Sequence, residues 1–224
     1  MVKPVKRRRA YRSVVRQAQA AATRAAVLAA ARSLFESTGY VATTIDAIAQ
    51  RAAVSPETVY AVFGSKRAVL AALIDVTIAG DSAAVPIMQR EWVARLRAEP
   101  DPQRQLASLA RYGTRILERI APLYAVLRGA AAADPGAAEA LARYSEQRFA
   151  GQRVLLGMLV ERRPLRAGLS RAKAADILFG IGSPEMYGLI VLERGWSPAR
   201  FAAWYAETLE RLLFAGSQPR SEDR

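Results

Sequence analysis

The stretch Thr44-Ile-Asp-Ala-Ile-Ala-Gln-Arg-Ala-Ala-Val-Ser-Pro-Glu-Thr-Val-Tyr-Ala-Val-Phe-Gly-Ser-Lys66 decides the fold. It predicts two short helices joined by a tight turn, with a third helix starting at its end. Thr44 is a good N-cap, and Asp46 puts a negative charge in the first turn, where the helix dipole favours it. Ile45, Ile48, Ala49 and Ala52 recur at helical spacing and give that helix one apolar face. Ala53-Val54 is the turn. Ser55 caps the second helix, and Pro56 follows at the position where a missing N–H costs nothing. Val59, Val62 and Phe63 turn inward, leaving Glu57, Thr58 and Tyr60 toward solvent. Gly64 ends the helix and Ser65 caps the next. Two short helices, a turn of small residues and a polar outer face on the second describe a helix-turn-helix, a DNA-reading device.

Working outward, helix 1 is expected from about Thr23 to Thr38, with Val27, Leu28, Ala31, Leu34 and Phe35 as its core stripe and Gly39 past its end. Helix 4 begins at Ser65, with Lys66 and Arg67 in its first turn and Val69, Leu70, Leu73 and Ile74 inward. Cations at a helix N-terminus oppose the dipole, which makes sense where a phosphate lies against them. Residues 1–70 hold twelve Lys/Arg against three Asp/Glu, a net +9 out of +13 for the chain, and no acidic residue precedes Glu36. Lys3, Lys6, Arg7, Arg8, Arg9, Arg12 and Arg16 form a basic N-terminal arm, residues 1–22, read as flexible. A basic patch coincident with a DNA-reading motif favours nucleic acid over a membrane surface.

With the preceding Ala30-Ala31-Arg32-Ser33-Leu34-Phe35-Glu36-Ser37-Thr38-Gly39-Tyr40, the stretch resembles the N-terminal domain of the tetracycline-repressor (TetR) family of bacterial regulators. The matching residues are Leu34-Phe35, Gly39-Tyr40, Thr44, Ile48-Ala49, Val54-Ser55, Thr58-Val59-Tyr60, Phe63 and Ser65-Lys66, over roughly residues 23–75. The resemblance implies phosphate contacts for Thr44, Tyr60 and Lys66. It places Ser55, Pro56, Glu57 and Thr58 near base edges in the major groove, where Glu57 suits a cytosine amino group. Two positions depart from the family pattern. Ala53 stands where the family usually has Gly, which fits if the backbone there keeps negative φ. Val62 stands where a polar, DNA-contacting residue is common.

Beyond Gly80 the pattern changes to longer helices without strand alternation. They are expected over Pro86–Glu99, from Gln103 to Ile120, from Pro122 to Asp134-Pro135-Gly136, and from Ala137 to Arg162. A fifth starts at Ser170 and breaks near Ser183-Pro184, and the last covers about residues 198–214. The fold class is therefore all-α: a three-helix DNA-binding domain at residues 23–70, a helical effector and dimerisation domain at 71–215, and a loose polar tail at 216–224. The last two long helices are rich in apolar and small residues. Leu178, Ile181, Leu189, Leu192, Phe201, Tyr205, Leu209 and Leu212 are candidates for a two-fold interface in which each subunit contributes two helices.

Composition excludes much. Cysteine and histidine are absent, which argues against thiol catalysis, imidazole chemistry and zinc or haem sites. No Gly-rich phosphate loop or nucleophile elbow appears, so no enzyme, cofactor or metal is expected. The N-terminus lacks a signal-peptide core and no apolar run is long enough to span a bilayer, so a cytoplasmic protein without membrane partners is expected. The family resemblance implies a homodimer on a palindromic DNA operator, acting as a repressor, and a small-molecule effector of unknown identity. Met88, Trp92, Tyr112, Tyr124, Phe149, Met158 and Tyr187 are candidates to line its cavity, with Arg111, Arg115 and Glu185 to orient a ligand. The alternative is a DNA-binding protein of this fold that senses a protein partner or acts architecturally.

Overall fold

The computed structural model describes the backbone of residues 5–81 and 85–215, with side chains from Val15 onward. The expected tail, residues 216–224, and Lys3 lie outside them, as do the side chains of Lys6 to Arg12. Among the described residues there are ten α-helices and no strand: α1 Val5–Thr38, α2 Ile45–Arg51, α3 Pro56–Phe63, α4 Lys66–Ala79, α5 Glu91–Ala98, α6 Pro102–Ala131, α7 Pro135–Arg162, α8 Arg171–Ile181, α9 Pro184–Tyr187 and α10 Pro198–Leu213. A short 3-10 turn, Ile87–Gln89, precedes α5, and a π-helical turn, Gly188–Glu193, extends α9.

Three elements differ from the sequence expectation. Helix α1 begins at Val5, so residues 5–22 are helical rather than a flexible arm. From Val5 to Thr38 the chain has no Gly or Pro and is rich in Ala and Arg, among the best helix formers. Proline 122 does not start a helix but lies inside α6. An interior proline costs about 3 kcal/mol, yet Leu117, Ile120, Leu123 and Leu127 around it are all buried. Each such side chain stabilises by about 1.5–3 kcal/mol, so the continuous helix wins. The segment before α5 forms a 3-10 turn instead of extending one helix from Pro86 to Glu99.

The chain divides into two compact units. The first comprises Met1–Val76 with Val126–Ala140, so the end of α6 and the start of α7 join the helix-turn-helix rather than the body expected to start at residue 71. Its core is Val27, Ala31, Phe35, Tyr40, Ile48, Ala49, Val59, Val69, Leu70 and Leu73, all buried. The rings of Phe35 and Tyr40 pack at 5.3 Å. Gly39, at φ 84°, ends α1 and donates its N–H to the Phe35 carbonyl at 3.1 Å.

The second unit comprises Thr77–Ala125 and Leu141–Arg224. Its core draws Val93 and Leu96 from α5, Leu106, Leu109 and Leu117 from α6, Leu156 and Leu159 from α7, Leu178 from α8, Tyr187, and Phe201, Tyr205 and Leu209 from α10. The break between α8 and α9 is built from polar groups. The Ser183 hydroxyl caps α9 by accepting from the Met186 N–H at 3.1 Å. Arg148 Nη1 donates to the carbonyls of Phe179 (2.8 Å) and Gly182 (3.2 Å), which gives this buried guanidinium two acceptors at the break. Gly182 has no room for a side chain, because a Cβ there would strike the Tyr205 hydroxyl.

Candidate nucleic-acid interface and effector cleft

The caps set the two helices of the reading head. Thr44 Oγ1 accepts from the Ala47 N–H at 3.1 Å, and Ser55 Oγ accepts from the Thr58 N–H at 3.3 Å. With its start fixed, α3 buries Val59 and half-buries Val62 and Phe63, while Glu57 and Tyr60 stand exposed, Tyr60 at 54%. Pro56 and Thr58 are half-buried beside them, and the Thr58 and Ser55 hydroxyls lie 3.2 Å apart. The Ser55 hydroxyl, followed by the residue's own backbone N–H, holds the Glu57 carboxyl below its ordinary pKa. Glu57 is therefore a pure hydrogen-bond acceptor at neutral pH. Ser55, Pro56, Glu57, Thr58 and Tyr60 thus share the first two turns of one short helix, as the sequence expects.

Two members of the motif differ from expectation. Lys66 Nζ donates to the carbonyls of Tyr40 (3.0 Å), Val41 (3.3 Å) and Thr43 (2.9 Å), and sits 4.4 Å from the centre of the Tyr40 ring. An ammonium has three N–H groups, and these carbonyls take all three. Lys66 therefore fastens the loop after α1. Ala53 has φ 54°, not the negative value expected of a non-glycine residue. The turn needs it: the Ala53 and Val54 N–H groups bond back to Gln50 (3.2 Å) and Ala49 (3.0 Å), a left-handed helix end that glycine usually makes.

In the second unit, a cleft of about 420 Å³ opens at the end of α4, the start of α5 and the middle of α6. Of the seven cavity candidates, Trp92 and Tyr112 line it, stacked at 5.4 Å and 27°, and so does Arg115. Tyr124, Met158 and Tyr187 are instead buried in the protein's own packing, Tyr187 against Phe201 at 5.1 Å. Phe149 packs edge-on against Phe179, and Met88 lies half-buried against the same core. Glu185 accepts from the Tyr124 hydroxyl at 2.6 Å. Arg90 and Arg119, which the sequence reading did not single out, also reach the cleft. Arg119 Nε donates to the Thr77 carbonyl (3.0 Å) and its Nη2 to that of Ile78 (2.8 Å), closing the end of α4. That bond spans forty-two residues, and no local pattern announces it.

The apolar helices at the end of the chain divide their residues between two roles. Leu178, Phe201, Tyr205 and Leu209, expected at an interface, are buried in the protomer's own core. The reason is that α10 has one main apolar stripe, and the protomer itself covers it. Ile181 and Leu212 are half-buried, whereas Leu189 and Leu192 are 50% and 56% exposed on the π-helical turn. By length and composition Arg171–Glu193 would pass for a membrane span, with 33% of its most apolar window buried. A new capped helix starting at Pro184 interrupts it.

A capped pair of short helices carrying an exposed polar face defines a helix-turn-helix DNA-binding unit. Residues 27–73 match the family described as bacterial regulatory proteins, tetR family. No curated protein matches the chain. Among solved structures it resembles FadR from Bacillus subtilis in complex with stearoyl-CoA, at 16% identity, covering 82% of this chain and 96% of that one with a TM-score of 0.65. It also resembles NalD, the secondary repressor of the MexAB-OprM multidrug efflux pump in Pseudomonas aeruginosa. There the identity is 21%, covering 86% and 96% of the two chains, with a TM-score of 0.63. At these identities the likeness concerns the fold, which extends over both units.

Proposed function

We propose that the protein is a cytoplasmic, homodimeric repressor that binds a palindromic DNA operator and leaves it when a small molecule occupies the second unit. The observation that carries the DNA reading is α3, whose Ser55 cap presents ionised Glu57 and Tyr60 exposed, with half-buried Thr58 beside Glu57. Tyr60 and the Thr44 hydroxyl then meet phosphates, and Glu57 and Thr58 meet base edges. The exposed Leu189 and Leu192, with half-buried Ile181 and Leu212, form the two-fold surface that lets two heads address two half-sites. The stearoyl-CoA held by the similar FadR supports an effector role for the second unit.

Helix α4 carries Lys66 at one end and the Arg119-held carbonyls of Thr77 and Ile78 at the other. Movement of that far end shifts the loop that Lys66 fastens, and so the reading head. Coupling of roughly 1–3 kcal/mol weakens operator binding about 5–150-fold, and operator weakens effector binding by the same factor.

The test is selection of binding sites from a random DNA pool, followed by a salt series on the enriched site. A palindrome is expected, with a log–log salt slope near −5 for roughly six phosphate contacts. Enrichment of no palindrome, or a flat salt dependence, overturns the reading.

A further inference from the structure

The cleft in the second unit has a lining of two kinds. Trp92 stacks on Tyr112, and Ile116 lines the same cleft. Arg90, Arg115 and Arg119 reach the same space. The nearby carboxylates have partners of their own. Asp81 receives both terminal nitrogens of Arg90, at 2.6 and 2.9 Å, and Glu91, which itself lines the cleft, pairs with Arg95 along α5. Burial, then the nearness of Arg90, lowers the Arg119 pKa, with Glu118 opposing the shift, Arg115 adding to it and Asp81 again opposing it, so Arg90 and Arg115 both lie close enough to Arg119 to be felt there. A stacked aromatic pair beside clustered guanidiniums is complementary to one chemical class.

We propose that this cleft binds an aromatic carboxylate, its ring against the Trp92–Tyr112 pair and its carboxylate at Arg115. This deepens, and rests on, the reading that the second unit takes a small molecule. The volume suits such a ligand, since small-molecule pockets start at roughly 300 Å³. Arg115 is the exposed one of the three arginines and lies 5.8 Å from the centre of the Tyr112 ring, so one guanidinium reaches both the aromatic pair and a carboxylate laid against it. Arg119 is engaged with the carbonyls that end α4, so an anion that draws on it bears directly on that helix end.

The experiment titrates the full-length protein calorimetrically with 2-naphthoate and with 2-naphthamide, which share a ring system and differ in charge. Naphthoate is expected to bind at least tenfold tighter. R115Q should erase that preference while R115K keeps part of it, and Trp92→Ala should weaken both ligands alike. Unchanged circular dichroism identifies variants that fold. Equal affinities for the two probes, or a charge preference that survives R115Q, overturns the proposal. Charge-dependent binding with no effect on operator affinity keeps the anion site and removes the inducer reading. Operator release by compounds indifferent to R115Q keeps the inducer reading and removes this site.

Discussion

Each unit leaves one face uncovered, and the two faces differ in chemistry. In the first, α3 exposes Tyr60 beside ionised Glu57, groups that hold their water until something polar replaces it. In the second, the π-helical turn exposes Leu189 and Leu192, whose hydration is unfavourable from the outset. A polar face gains specificity from a partner and an apolar face gains stability, so the first suits DNA and the second a permanent copy of the same chain. Basic charge does not sort the units so simply. Lys66, in the motif itself, is taken up by carbonyls, while three arginines crowd a cleft in the other unit.

The comparison breaks hardest at the apolar face. Leu189→Arg together with Leu192→Arg should weaken dimerisation on the order of a thousandfold or more, since burying an unpaired charge costs several kcal/mol. Sedimentation measures it, and a double variant that stays dimeric means that another surface joins the protomers. Next in size is Lys66→Ala, which strands three carbonyls and should lower unfolding stability by about 2–3 kcal/mol in denaturant. A variant of full stability with reduced DNA affinity would return Lys66 to the phosphates.

Smaller effects sharpen the polar face. Glu57→Ala and Thr58→Ala should each change discrimination at one base pair by roughly ten- to a hundredfold. An unchanged selected motif in both variants would move the reading surface elsewhere. Smallest is Ala53→Gly, expected to add about 1 kcal/mol of stability by relieving a left-handed alanine. Thermal melts decide it, and a lower melting temperature means that the turn tolerates alanine without strain.

What was legible in the sequence was what is local. Thr44, Ser55, Ser170, Ser183 and Ser197 all accept from an N–H three residues ahead, so each cap shows as a residue type just before a helical pattern. The kind of residue on α3's outer face followed from the same spacing. Lys66 and Arg119 were not legible, because their carbonyl partners lie 23 to 42 residues away and are backbone atoms that every residue carries alike. Pro122 misled because a local signal for a helix start was outweighed by burial on both sides. The stripe of Phe201, Tyr205 and Leu209 told of burial but not by which chain, since hydrophobic periodicity is the same for a core and for an interface.

The membership of Val126–Ala140 in the first unit bears on the order of events during synthesis. When Val76 has left the ribosome, the reading head still lacks Leu127, Ala130 and Ala137, which are buried in the finished protein. About 64 more residues must be made first, roughly 3–13 s at ordinary elongation rates. The head is therefore completed only after α5, all of α6 and the start of α7 exist, and a nascent chain cut short before Ala140 carries a helix-turn-helix motif without its full support.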